Sequence, residues 1–258
     1  MEMNLIMKKP WCLIVAAMFL AACPLFAAPP TVTFNLTSIG SGANLGGVYT
    51  SPYAGNINGG PTVPVICDDF ADDSYVPETW TAYMTSLSSI LAGTATNLKW
   101  AQGWNGTGNA AAPTYALSQA DAYATAAILA INILTSSGLT QEEYSYAMWE
   151  LFDPTAASAA LPSMYQSTVA GFIKTAVSEA TGGNLNAYLG GATVTIYSYD
   201  TGAMCGPKLD QPCVNIPPQE FVTVSMAEPP SPTMLGLDLL AVAGLIFISR
   251  RRSARSVA

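Results

Sequence analysis

The sequence predicts an α+β domain in which N- and C-terminal strands form one β-sheet around a central helical segment. Three observations predict it. "TVTFNLTSI" and "GATVTIYSYD" alternate apolar and polar residues near opposite ends of the chain. Between about Thr85 and Thr181 the apolar residues recur instead at three and four. Breaks rich in Gly, Asn and Pro separate the two regimes. A cleavable N-terminal signal and a C-terminal transmembrane helix flank the domain. The expected parts are therefore residues 1–27, 28–225 and 226–255.

"MKKP" gives a positive start, and "WCLIVAAMFLAA" (Trp11–Ala22) is an apolar run of the length of an export signal. Two processing routes stay open. Leu25-Phe26-Ala27 suits ordinary cleavage before Ala28, whereas Leu20-Ala21-Ala22-Cys23 is similar to a lipobox that would lipidate Cys23. Ordinary cleavage is the expectation, because Pro24 follows the cysteine. "TVTFNLTSI" is then a half-buried strand. "GGVYTSPYAGNINGGPTVPVICDDF" reads as strand, turn and strand, with Asn58-Gly59 as the hairpin signal.

In "YALSQADAYATAAILAINILTSSG", Leu117, Ala120, Ala124, Ile128, Ile131 and Leu134 fall on one helical stripe ending before Gly138. Thr140-Gln141-Glu142-Glu143 reads as a capping box that starts a second helix, which Asp153-Pro154 stops. Ser163 to Thr181 is a third, with Gly182-Gly183 beyond its end. "GATVTIYSYD" and "EFVTVSM" return to strand, and residues 105–112 form a small-residue loop.

Composition narrows the function classes. Half of the 258 residues are apolar and a tenth are charged, enough for a packed core. Lys8, Lys9, Arg250, Arg251, Arg252 and Arg255 lie at the two ends. From Ala28 to Glu228 only Lys99, Lys174 and Lys208 face fifteen acidic residues, a net charge of −12. Such a body repels phosphate backbones, so no nucleic-acid partner is expected. With no histidine, Ser-His-Asp catalysis, Cys-His catalysis and imidazole zinc sites are excluded.

The last stretch, "AEPPSPTMLGLDLLAVAGLIFISRRRSARSVA", has its own logic. Thr233 to Ser249 is 17 residues long. At ~1.5 Å per residue it reaches ~25 Å, near the lower limit for a membrane span. Asp238 is costly there unless it sits near the headgroups. Arg250, Arg251 and Arg252 act as the membrane stop and, by the positive-inside rule, leave the body outside the cytoplasm. Proline motif, apolar span and arginine cluster in this order resemble the PEP-CTERM sorting signal, also known as the ice-binding protein C-terminal domain. The motif stands here as Glu228-Pro229-Pro230-Ser231, without the family's leading proline. The resemblance implies an exosortase that recognises Glu228-Pro229. It also implies signal peptidase at the other end, transient contact with membrane lipid, and the envelope or its exopolysaccharide as destination.

Of the five cysteines, Cys12 lies in the signal and Cys23 at its end. Cys205 and Cys213 bracket "GPKLDQP", and a disulfide between them is expected in an oxidising compartment. Cys67 is left as an unpaired thiol, read as a buried small hydrophobe whose acidic neighbours Asp68, Asp69, Asp72 and Asp73 disfavour the thiolate. "ICDDF" and "YAMWELFDP" resemble the motifs of Gram-positive adhesin thioester domains, which pair a strand cysteine with a glutamine two residues before an Ala-Ile-Trp run. Ala147-Met148-Trp149 matches that run, but Ser145 stands at the glutamine's position. A serine has no amide carbonyl to give, so the resemblance implies the strand-helix-strand architecture and not covalent adhesion.

Other candidates are weaker. "DDFADD" supplies four carboxylates but lacks the spacing of a calcium loop. Trp100, Trp104, Tyr144, Tyr146 and Trp149 suggest either a sugar-stacking platform or core. Glu142, Glu143 and Glu150 are candidate glycosidase acids, although the sequence gives no separation between them. The expectation is an exported, non-enzymatic surface protein with no cofactor, metal site or catalytic residue. Its alternatives are a carbohydrate- or calcium-binding adhesive module and a carboxylate-based glycan-active enzyme.

Overall fold

The alternation at both ends closes a barrel in the computed structural model, which describes residues 30–70, 74–100, 115, 117–199 and 218–226. In β1 (Thr31–Ser38), Val32, Phe34 and Leu36 are buried while Thr31, Thr33 and Thr37 are exposed. β2 (Asn44–Leu45) and β3 (Val48–Tyr49) form a small separate ribbon. β4 (Tyr53–Ile57) and β5 (Val63–Cys67) form the expected hairpin, with Asn58 and Gly59 at φ 52° and 69° in its turn. β6 (Glu78–Ser86), β7 (Thr193–Tyr199) and β8 (Phe221–Ser225) complete the set.

The order β1-β4-β5-β8-β7-β6 returns to β1, every neighbour antiparallel. Strands from both ends of the chain thus share one sheet, as the sequence suggests, and closure leaves that sheet no edge. Gly55 in β4 is required by the close approach of β1. A Cβ there would lie 2.9 Å from the Asn35 carbonyl oxygen. β6 is not among the elements read from the sequence, although "ETWTAYMTS" buries Trp80 and Ala82 two residues apart.

The barrel interior is aromatic. Phe34 lies with its ring centroid 4.7 Å from Trp80, 5.3 Å from Tyr197 and 5.3 Å from Phe221. Tyr53 meets Phe221 edge-on at 6.1 Å. Rings from five strands therefore fill the centre, each burying a large apolar area in favourable tilted geometry.

The helices follow β6 directly. α1 (Leu87–Leu91) is capped by Ser86, whose hydroxyl accepts from Ser89 N at 3.2 Å. α2 (Gln119–Thr135) begins at Ser118, whose hydroxyl accepts from Asp121 N at 3.1 Å. It is buried on every side from Ala122 to Ile131, not along the single stripe the spacing suggests. The reason is its position: α2 packs against α1, α3 (Gly138–Phe152), α5 (Gln166–Thr181), α6 (Leu185–Leu189) and β8.

The expected capping box at Thr140 is corrected. α3 starts two residues earlier at Gly138, and Gln141 caps the preceding helix instead. Its side-chain amide donates to the carbonyls of Ile133 at 2.7 Å and Ser136 at 3.1 Å. Asp153-Pro154 does end α3, and at once starts α4 (Pro154–Ala160), with Asp153 accepting from Ala156 N. The third expected helix opens as a 3-10 turn at Ser163–Tyr165 before α5, which ends at Gly182-Gly183.

No helix among the described residues is long and apolar enough to cross a membrane. The expected signal, the 105–112 loop and the membrane helix Thr233–Ser249 lie outside the described residues.

Candidate functional site

Two strand ends and two helices bring the chain's reactive groups together. β5 ends in Cys67, which pairs with Phe221 of β8, and Ile66 pairs with Val222. Paired residues share a face, so Cys67 points with Phe221 towards the barrel's aromatic interior. The Cys67 thiol is fully buried and donates to the Asp69 carbonyl at 2.9 Å, while its backbone N–H donates to Ser51 Oγ at 3.1 Å. Burial, then the charges of Asp69 and Asp68, hold the thiol well above its ordinary range. Burial and these charges both disfavour the thiolate, the nucleophilic form.

Ser145 of α3 reaches the same residue from the other side. Its hydroxyl donates to the Ser51 carbonyl at 3.3 Å and to Gln141 O at 3.2 Å. The fold thus brings the two sequence motifs, around Cys67 and around Trp149, onto Ser51. Trp149 itself is buried against Phe70 and Tyr146. Ser145 still offers only a hydroxyl to its neighbours.

Beside this lies a buried polar cluster. Asp68 N donates to the Glu220 carbonyl at 3.4 Å, and Glu220 N donates to Asp69 Oδ2 at 3.3 Å. The Glu220 carboxylate accepts from Tyr123 Oη of α2 at 2.5 Å, from Lys99 N at 2.9 Å and from the Ser198 hydroxyl of β7. Lys99 Nζ pairs with Asp69 Oδ2, and the Gln219 side chain donates to Asp69 O at 2.7 Å. Three buried carboxyls therefore lie in one cluster, and the Lys99 ammonium touches one of them, Asp69.

The charge imbalance has a definite resolution. Glu220 is also pushed up by burial, but its hydrogen bonds from Ser198, Tyr123 and the Lys99 backbone oppose this. Asp68 is raised by burial, then by Glu220 and Asp69, and neither of its oxygens has a hydrogen-bond partner of ordinary geometry. Burial and the neighbouring carboxylates therefore favour the protonated form of Asp68, which titrates together with Glu220.

A further buried acid belongs to α3. Glu150 is 2 % exposed, and burial pushes it up to about 7, with Ser158 working the other way. Glu143 and Glu150 are seven positions apart on one helix, ~10 Å along its axis.

The structure also places the remaining sequence candidates. Tyr146 and Trp149 are buried, Trp100 stacks on Phe152 at 5.4 Å, and Tyr144 stacks on Phe172 at 4.0 Å. These rings are used in packing. Asp72, Asp73 and Trp104 lie outside the described residues, as do Cys23, Cys205, Cys213, Glu228, Pro229, Pro230, Ser231, Arg250, Arg251 and Arg252. Among the described residues Cys67 is the free cysteine, and no group of side chains there suits a metal ion. Sequence reasoning missed Lys99, Tyr123, Ser198 and Glu220. Only the rarity of lysine in the body marks Lys99.

No protein-family model matches the chain, and no curated protein matches it in sequence. Among solved structures, the N-terminal domain of the Streptococcus pyogenes pilus tip adhesin Cpa is similar at a TM-score of 0.37 and 8 % identity, over 78 % of this chain and 96 % of that one. The N-terminal thioester domain of the fibronectin-binding protein SfbI from Streptococcus pyogenes is similar at 0.31 and 9 %, over 78 % and 95 %. Both are adhesin domains, and likeness at this level assigns no residue of this chain a role.

Proposed function

We propose that the chain is an exported, non-enzymatic surface protein of the cell envelope or its exopolysaccharide matrix. Signal peptidase removes residues 1–27, and an exosortase processes the tail at Glu228-Pro229 after Thr233–Ser249 has engaged the membrane lipid. One observation carries the non-enzymatic part. Cys67, Asp68, Asp69, Glu150 and Glu220 are each 2 % exposed or less, out of reach of a substrate. The acidic body between cationic ends supports export, since the arginines at 250–252 suit the inner side of a membrane.

Fractionation of producing cells, with and without their sorting transpeptidase, followed by sequencing of the mature C-terminus, tests the reading. The expected result is an envelope-associated product that ends near Glu228 only when the transpeptidase is present. Retention of Arg250–Arg255 in both backgrounds would reduce the tail to a permanent anchor. Recovery of the whole chain in the cytosol would contradict export.

A further inference from the structure

We propose that Lys99 and Asp69 are joined by an intramolecular isopeptide bond, formed at the buried cluster where β5, β8 and α2 meet. Three features of the site carry the proposal. Lys99 Nζ and Asp69 Oδ2 are in direct contact, although the residues are 30 positions apart in sequence. Both ends of the pair are held. Glu220 N donates to the Asp69 carboxyl, and the Glu220 carboxylate accepts from the Lys99 backbone N–H. The pair is also flanked on one side by an aromatic row: Lys99 Nζ lies 5.1 Å from the Trp100 ring centroid, Trp100 stacks on Phe152, and Phe152 meets Tyr123 at 5.3 Å.

Each feature has a chemical consequence. Fixing an amine against a carboxyl makes the condensation unimolecular, and well-oriented pairs of this kind reach effective concentrations of ~10⁵–10⁸ M. A low-dielectric wall favours the neutral amine and neutral acid that must react. The Asp68–Glu220 carboxyl pair, with fewer nearby cations than acids, is the local proton store. One proton of the Lys99 ammonium passes to it, and the amine nitrogen attacks Asp69 Cγ. The C–N bond forms, a C–O bond of the carboxyl breaks, and the oxygen leaves as water with the two protons the ammonium has given up. Ammonium plus carboxylate become one amide plus one water. No oxidation or co-reactant is involved. The product also replaces a charged pair by a neutral amide, removing the buried charge of Asp69 and the half-buried charge of Lys99.

The test is a chymotryptic digest of the purified full-length protein, read by tandem mass spectrometry. Cleavage after Phe70 and Trp100 separates the two segments unless they are bonded. The expected product is a branched peptide joining Asp69 to Lys99, one water lighter than its two parts, with loss of tryptic cleavage after Lys99. Lys99→Arg should return linear peptides. Glu220→Gln and Asp68→Asn should each slow formation of the branched peptide at least tenfold. Full bonding at the wild-type rate in both would overturn the role given to the carboxyl pair. Quantitative recovery of linear Asp69 and Lys99 peptides from folded wild-type protein, after prolonged incubation, would overturn the bond itself. This outcome does not depend on export or sorting.

Discussion

The barrel interior and the seam between barrel and helices are both dry, yet they are held by different physics. Inside the barrel, Phe34, Trp80, Tyr197 and Phe221 meet ring to ring. Their contribution is area removed from water, which pH does not change. At the seam, Asp68, Asp69 and Glu220 are buried with Tyr123 and Ser198 beside the half-buried Lys99, and Glu150 is buried separately in α3. There Glu220 and Asp69 depend on their partners, and removing one leaves another stranded. The difference teaches that stability resides in the interior, while sensitivity to pH resides at the seam.

Phe34→Ala is the largest expected loss. Phe34 is fully buried, and truncation of such a ring costs ~3–5 kcal/mol. Urea unfolding at pH 5 and pH 8 should show the same loss at both, and a pH-dependent loss would break the contrast.

Glu150→Gln should act in the opposite sense. The folded-state value of about 7 stands above the ordinary 4.5, so the native protein holds this proton more tightly than the unfolded chain. Wild-type stability is then full below about pH 4.5 and falls as pH rises to about 7, a loss on the order of 3 kcal/mol from this group. Asp68 and Glu220 are raised too, and act with the same sign. The neutral Gln variant should therefore be nearly as stable as wild type at pH 4.5 and more stable at pH 8. Parallel pH profiles for the two proteins would refute the assignment.

The smallest effect sharpens the boundary of the seam. Asp153→Ala removes the cap that starts α4 and should cost ~1 kcal/mol. That loss should be equal at pH 6 and pH 8, because the cap lies at a helix junction and outside the carboxyl cluster.

How far the sequence carried this picture depends on which interactions are local. The hairpin at Asn58-Gly59, the stop at Asp153-Pro154 and the end of α5 at Gly182-Gly183 are set by neighbours in the chain, and each was legible. Closure of the barrel was not, because β5–β8 pairing joins Cys67 to Phe221, and nothing near either residue announces the other. The Thr140 box misled because Gln141 has a tertiary use, capping α2 from the next helix. The acidic pattern "CDD" was visible, but its partners come from β7, β8, α2 and the Lys99 segment. Side chains gathered from four distant stretches carry no common spacing.

Cys67, Asp68, Asp69, Glu150 and Glu220 are sealed in the fold. Thiol labelling of the native protein, followed at the Cys67 peptide by mass spectrometry, tests this most directly. Cys67, fully buried and held protonated, should label only as fast as the protein unfolds, so that denaturant accelerates it in step with the loss of structure. Labelling of the folded protein at the rate of an exposed thiol would contradict the account.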